Sequence, residues 1–152
     1  MHIVKELALK GHNVSKKKLD YGDYTVGFKL GDEKVCLESE IVVERKGSGN
    51  TGLDELGVNL TKYRKRFEKQ LDRGKKSSFY LMIEGGNWNA IFNENYRPNI
   101  TYKSYIASLM TFFTRYGIRI CMVDRECSAE WVYNLFYYYV REKLKRGDYD
   151  GN

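Results

Sequence analysis

The sequence predicts an α/β fold, a single domain in which helices flank a central mixed sheet. Strand patterns cluster between residues 24 and 46, and strand and helix patterns alternate after that point, which is typical of this class. The chain has 152 residues, a length that fits one domain. Its 42% hydrophobic content can form a core, and its longest apolar runs are too short to cross a bilayer. A disordered chain and a membrane-spanning protein are therefore excluded.

The first half of the chain contains short elements with clear ends. The predicted elements are a helix over residues 3–10 ended by Gly11, extended chain over 14–19, strands over 24–30, 34–37 and 39–46, and a loop over 47–52. A glycine after the last helical residue is a common helix end. Residues 31–33 form the turn of a hairpin, and the glycine-rich residues 47–52 predict a flexible loop.

In the second half, strands and helices alternate. The predicted elements are a basic helix over 61–76, a buried strand over 78–84, a loop over 85–100, a helix over 101–116, a strand over 118–123, and a helix over 129–145 capped by Ser128. We expect the domain to span residues 1–146 and residues 147–152 to be a frayed tail.

The positive charge of the chain is concentrated in the basic helix. The chain has 26 Lys and Arg against 20 Asp and Glu, a net charge of +6. Residues 61–76 contain eight cations and two carboxylates, Glu68 and Asp72, so this segment alone accounts for the whole excess. Exposed cations in a row can bind DNA phosphates without reading base sequence. The alternative is an ordinary solvated helix face.

The spacing within the basic helix separates two faces. Leu60, Tyr63, Phe67 and Leu71 recur at helical intervals and form an apolar stripe. The cations proposed to contact phosphates lie on another face and are Lys62, Arg66, Lys69 and Arg73.

An acid and a lysine lie two residues apart on the third predicted strand. Side chains alternate along a strand, so Glu44 and Lys46 share a face. Asp23 precedes a strand that has room to lie beside this one. Two carboxylates can bind Mg²⁺, and a lysine can orient the attacking water or stabilise developing charge in phosphodiester hydrolysis. The alternative is an ordinary Glu–Lys pair on a surface strand.

These residues occur in two motifs, Gly22-Asp23-Tyr24 and Val43-Glu44-Arg45-Lys46. Together they resemble the nuclease domain of the XPF family of structure-specific endonucleases, a branch of the restriction-endonuclease-like PD-(D/E)XK superfamily. Arg66 and Gln70 match the family's R-x-x-x-Q pattern, and the strand that ends at Glu84 matches its apolar strand. The resemblance covers roughly residues 18–144.

The resemblance implies a restriction-endonuclease-like fold and a Mg²⁺-dependent endonuclease, with Mn²⁺ as a substitute metal. The expected substrate is branched, flap or junction DNA in repair or recombination, cut to a 5′-phosphate and a 3′-hydroxyl. The implied catalytic residues are Asp23, Glu44 and Lys46, and the implied metal ligands are Asp23, Glu44 and the backbone carbonyl of Arg45. The expected DNA-binding residues are Arg45, Lys62, Arg66, Lys69, Gln70 and Arg73.

The chain also departs from the family pattern. The acidic D-x-R-E strand is missing, and Asn50 occupies the place of an aspartate four residues after the motif lysine. Glu6 and Asp54 are the candidates to supply further metal ligands. These gaps leave open a non-catalytic DNA-binding subunit on the same fold.

A third interpretation is a protein-interaction scaffold. The aromatic last helix would dock a partner, either a second copy of the chain or another protein. The three cysteines form no disulfide framework, and the N-terminus has no signal-peptide pattern, so we expect an intracellular protein without a membrane partner.

Overall fold

The computed structural model describes residues 2–147, so most of the predicted frayed tail lies outside the described residues. The helices are α1 (His2–Leu9), α2 (Gly52–Leu60), α3 (Arg64–Gly74), α4 (Trp88–Phe92), α5 (Tyr102–Tyr116) and α6 (Ser128–Arg146). The strands are β1 (Gly27–Leu30), β2 (Glu33–Cys36), β3 (Ile41–Lys46), β4 (Ser78–Glu84) and β5 (Arg119–Val123), and a 3₁₀ turn spans Arg125–Cys127. The division of the chain at residue 146 stays a prediction.

The central sheet consists of β3, β4 and β5, all parallel, with β4 in the middle. Lys46 pairs with Ile83, and Glu84 pairs with Val123, so the carboxyl ends of the three strands meet at one edge. Helices cover both faces of the sheet, which explains why β4 is an almost continuous apolar run.

Antiparallel pairing is added at the free edge of β3. Strands β1 and β2 form a hairpin whose turn begins at Gly31, where φ is +62°. Tyr24, just before this hairpin, forms an antiparallel bridge with Val43 of β3. The predicted mixed α/β fold is therefore confirmed, and the segment after Asp23 does reach β3 at Tyr24, whereas β1 and β2 form a separate two-stranded sheet.

Each face of the sheet has its own core. Val42, Leu81 and Ile83 pack with residues of α2, α3 and α5. On the opposite face, Val43 and Met82 pack with residues of α1 and α6. Because β3 alternates, Glu44 and Lys46 belong to the α3 side and Arg45 to the α6 side.

The prediction of a single basic helix over residues 61–76 is wrong at the N-terminal end. A separate helix, α2, ends at Leu60, and α3 begins only at Arg64. The hydroxyl of Thr61 donates to the carbonyl of Gly57 at 2.9 Å, which ends α2 with a local side-chain bond. The predicted loop over 85–100 likewise contains a short helix, α4.

The predicted capping role of Ser128 is also wrong. Cys127 holds the N-cap position of α6 and makes no side-chain capping bond. The hydroxyl of Ser128 instead donates to Glu84 Oε2 at 2.5 Å. Other boundaries agree closely, including β4 and the end of α5 at Gly117, whose φ is +62°. Over residues 2–147, no helix combines the length and apolar character needed to span a membrane.

Candidate active site

Asp23 is fixed beside the end of β3 by main-chain bonds. Its N–H donates to the carbonyl of Val43 at 2.8 Å, and its Oδ2 accepts the N–H of Arg45 at 2.7 Å. The preceding Gly22 has φ +77°, and a Cβ there would lie 3.0 Å from Cβ of Val42. A glycine therefore lets this turn approach the strand closely enough to bring Asp23 next to Glu44.

Glu44 and Lys46 are buried side by side, with 6% and 4% of their surfaces exposed. The Lys46 ammonium lies 3.1 Å from Glu44 Oε2 and 4.8 Å from the centroid of the Phe67 ring. Gln70 of α3 donates to Glu44 Oε1 at 3.0 Å. Both oxygens of Glu44 therefore have fixed donors, and the R-x-x-x-Q helix reaches the acid of the predicted site.

The pKa of Glu44 is raised to about 7. Burial is the main cause and the neighbouring Asp23 carboxylate adds to it, while the Lys46 ammonium opposes the shift. The buried Glu44 carboxylate and the exposed Asp23 carboxylate beside it repel each other when both are charged, and a cation bound between them would remove that repulsion.

The residues around Asp23 and Glu44 fit a magnesium ion. Both carboxylates and the Arg45 carbonyl are hard oxygen donors, and Mg²⁺ in proteins keeps several waters and commonly takes only one or two carboxylates. In the part of the chain that the structure describes, no group of three or more His, Cys, Asp or Glu residues could hold a metal. A bound ion would therefore complete its coordination with water and phosphate oxygens.

The two candidate extra ligands have other partners. Asp54 accepts the N–H of Asn50 at 2.9 Å and the N–H of Arg97 at 2.7 Å. Glu6 lies 3.6 Å from His2 Nδ1, on the α1 side of the sheet. Their roles as metal ligands stay predictions.

Glu55, for which the sequence predicts no role, organises the loop after β3. It accepts hydrogen bonds from Gly47 N, Ser48 N and Ser48 Oγ, and its other oxygen lies 3.6 Å from the Lys46 ammonium. Burial acts to raise the pKa of Glu55, but these donors hold it below the ordinary value. In the sequence, the only indication of this role is that Glu55 follows Asp54 as a second acid in the first turn of α2.

Two arginines also bind the loop over residues 47–52, although the sequence predicts this loop to be flexible. Arg125 donates to the carbonyl of Gly47 at 2.5 Å, and Arg97 donates to Asn50 Oδ1 at 2.6 Å. The residue that replaces the family's aspartate, Asn50, thus contributes to loop structure.

The Arg45 side chain lies on the opposite face of β3 from Glu44 and Lys46. Its Nε donates to Glu84, a carboxylate with no exposed surface. Burial acts to raise the pKa of Glu84, but hydrogen bonds from Ser128 and Arg45, the charge of Arg45 and a bond from His2 together hold it below the ordinary value. The sequence predicts that Glu84 ends β4, but it predicts no role for this residue.

The predicted phosphate-binding cations are all exposed. They are Lys62 in the turn between α2 and α3, and Arg66, Lys69 and Arg73 on α3. Lys62 and Arg66 lie over the ring of Tyr63, at 5.2 and 4.7 Å from its centroid. Within residues 2–147, none of these four cations forms an ion pair. Arg66 lies one helical turn from Gln70, so the row borders the Glu44 site.

The domain is thus an α/β domain with a parallel sheet, two acids and a lysine near the carboxyl edge of that sheet, and a helix with exposed cations beside them. A family model described as the ERCC4 domain matches residues 2–135, and the chain belongs to this family. The resemblance to the XPF-family nuclease domain is thereby confirmed, and the family comprises structure-specific nucleases that act on DNA. No curated protein and no solved structure matches the chain significantly.

Proposed function

We propose that the protein is a metal-dependent endonuclease that hydrolyses phosphodiester bonds in branched, flap or junction DNA. The observation that carries the proposal is the convergence of Asp23, Glu44 and Lys46, with Glu44 held between Lys46 and Gln70. Mg²⁺ is the proposed cofactor, with Mn²⁺ able to replace it. We place the reaction inside the cell, in DNA repair or recombination, where three free cysteines stay reduced.

In this mechanism, Asp23, Glu44 and the Arg45 carbonyl would hold the metal. When bound, Mg²⁺ polarises the phosphate and lowers the pKa of a bound water. Gln70 keeps the Glu44 carboxylate in one orientation. The Lys46 ammonium, held between Glu44 and Glu55, orients the attacking water or stabilises charge that develops on the phosphate.

Cleavage of labelled flap, fork and four-way-junction DNA tests the proposal. Asp23→Asn and Lys46→Met should each lower the rate by about 100-fold or more with Mg²⁺, because each removes a group that acts at the reacting phosphate. Asp20→Asn is the matched control, since Asp20 is an exposed acid three positions from Asp23. Equal rates for wild type and Asp23→Asn would show that the site is assigned wrongly.

A non-catalytic DNA-binding subunit is the second candidate function. It is favoured because, among residues 2–147, no group of three or more His, Cys, Asp or Glu side chains is arranged to hold a metal. This alternative predicts salt-sensitive DNA binding without Mg²⁺-dependent cleavage, so turnover by the purified chain would exclude it.

The scaffold interpretation and the choice of partner also stay predictions. Tyr137 and Tyr138 of α6 are about half exposed, while Val132 and Phe136 of the same helix are buried in the core. The aromatic helix therefore packs partly into its own domain and presents only part of its surface to a second copy or another protein.

A further inference from the structure

A second polar cluster lies at the same edge of the sheet as the acids but on the other face. We call it the Glu84 cluster; it consists of Glu84, Arg45, His2 and Ser128. Glu84 has no exposed surface, and a buried carboxylate is costly unless charged or polar donors surround it. Three elements supply those donors: β3, α1 and α6.

The two oxygens of Glu84 divide these donors between them. Ser128 Oγ and His2 Nε2 lie 2.5 and 2.8 Å from Oε2. Arg45 is the one donor on Oε1 within residues 2–147, and it uses Nε. Residues of α1 and α6 thus fix the orientation of the carboxylate through Oε2. Its other oxygen, Oε1, faces Arg45 of the E-R-K motif.

Arg45 is tied to the candidate active site at the other end. Its backbone N–H donates to Asp23, while its side chain pairs with Glu84. The two terminal nitrogens of its guanidinium have no hydrogen-bond partner within the described residues, and 23% of the side chain is exposed. An arginine held through Nε keeps four terminal N–H groups, in a planar fork that matches phosphate oxygens.

Gly47 keeps the space beside this arginine open. A Cβ at Gly47 would lie 2.6 Å from Arg45 Nη2 and would also collide with Glu84. The loop after β3 therefore passes the guanidinium without covering it with a side chain.

We propose that Glu84 is a positioning residue that holds Arg45 so that its terminal N–H groups bind a DNA phosphate next to Asp23 and Glu44. The inference rests on the proposed function and deepens it, because it gives a role to a buried carboxylate that never touches the substrate. In this proposal both faces of the sheet take part in the site: the acids and Lys46 act on one face, and Arg45 binds phosphate on the other.

A double-mutant cycle tests this role. Glu84→Gln should lower the cleavage rate about 10- to 100-fold, since small displacements of a positioning group have effects of this size. In an Arg45→Ala background the same substitution should cause no additional decrease. Ser128→Ala is the matched control, because it removes a donor from the same carboxylate and leaves the Arg45 hydrogen bond in place. Its cleavage rate should fall clearly less than that of Glu84→Gln when the two variants show a comparable decrease in melting temperature.

DNA affinity gives a readout that does not depend on turnover. Fluorescence anisotropy with a labelled flap in metal-free buffer should show weaker binding for Glu84→Gln and Arg45→Ala, with the double variant no weaker than Arg45→Ala. Arg45→Lys provides a variant that keeps the ion pair and the fold; it should bind the flap more weakly because an ammonium paired with Glu84 lacks the free fork. Additive effects, or Ser128→Ala as harmful as Glu84→Gln, would overturn the inference. Absence of cleavage by wild type together with a non-additive binding cycle would overturn only the nuclease proposal.

Discussion

Glu44 is buried and lies beside a second carboxylate, and both features favour its protonated form. Its pKa of about 7 in the folded protein compares with an ordinary value of 4.5. Between these values the folded state binds more protons than the unfolded state, so the free energy of unfolding falls as pH rises and levels off above about pH 7. The acid that would bind the metal therefore lowers stability at the pH where it is ionised.

This pH dependence can be measured by urea unfolding in metal-free buffer between pH 5 and 8. Wild type should become less stable as pH rises through this window, and Glu44→Gln should change less, because glutamine does not titrate. Glu142→Gln is the control, since Glu142 is exposed on α6. Added Mg²⁺ should stabilise wild type most above pH 7, where protons no longer compete for Glu44. Identical slopes for wild type and Glu44→Gln would contradict the assignment.

At the scale of elements, α3 connects the positive charge of the chain to the site. Its buried residues Phe67 and Leu71 fix the helix on the sheet, while Gln70 reaches Glu44 and the exposed cations line the outside. The Phe67 ring also lies under the Lys46 ammonium. The same helix thus supports the site lysine, orients the site acid and carries a row of exposed cations, which is the surface proposed to bind DNA.

The contribution of this row to DNA binding can be read from its salt dependence. Replacing Lys62, Arg66 and Lys69 together by alanine should weaken binding and lower the slope of log K against log salt by about 0.9 for each phosphate that is no longer neutralised. Lys5, Lys16 and Lys103 form the control triple, because all three are exposed or partly exposed and none lies on α3. An unchanged slope in the first triple would mean that the row is only solvated surface.

The sequence predicts elements well where local signals agree and poorly where the deciding contacts are distant. β4 is an almost continuous apolar run, and α5 has helical periodicity, a Thr101 cap and a Gly117 end. The break between α2 and α3 is hidden because Leu60 continues the apolar spacing of the next helix. The bond from Ser128 to Glu84 joins residues 44 positions apart, so nothing near Ser128 reveals it. The proximity of Asp23, Glu44 and Lys46 could be predicted because the sequence motifs and the alternation of side chains along β3 indicate the same site.

At the scale of the whole molecule, the sheet is shared by two cores. Phe79 is fully buried on the α3 side and Met82 on the α6 side, and the two residues are close neighbours on β4. Because both cores use the same three strands, disruption of either should destabilise the domain as a unit.

Core substitutions on the two faces test this cooperativity. Phe79→Ala should cost about 3–5 kcal/mol and Met82→Ala about 2–5 kcal/mol in the free energy of unfolding. Each variant should still unfold in one transition, seen alike by circular dichroism and by tryptophan fluorescence. Tyr138→Ala, at an exposed position of α6, should change stability by no more than about 0.5 kcal/mol. Separate transitions for the two probes would show that the faces unfold independently.

The loop after β3 also has a practical meaning for protein engineering. Its ends are fixed by glycines: Gly47 lies against Arg45 and Glu84, and a Cβ at Gly52 would collide with the Lys46 carbonyl. Between them, Ser48, Gly49 and Asn50 are exposed. The loop is nevertheless a poor insertion point, because Glu55 binds Ser48, Arg97 binds Asn50, and a Cβ at Gly49 would lie 2.6 Å from the Asp54 side chain. Engineering around the candidate site should therefore keep this loop at its present length and retain its glycines.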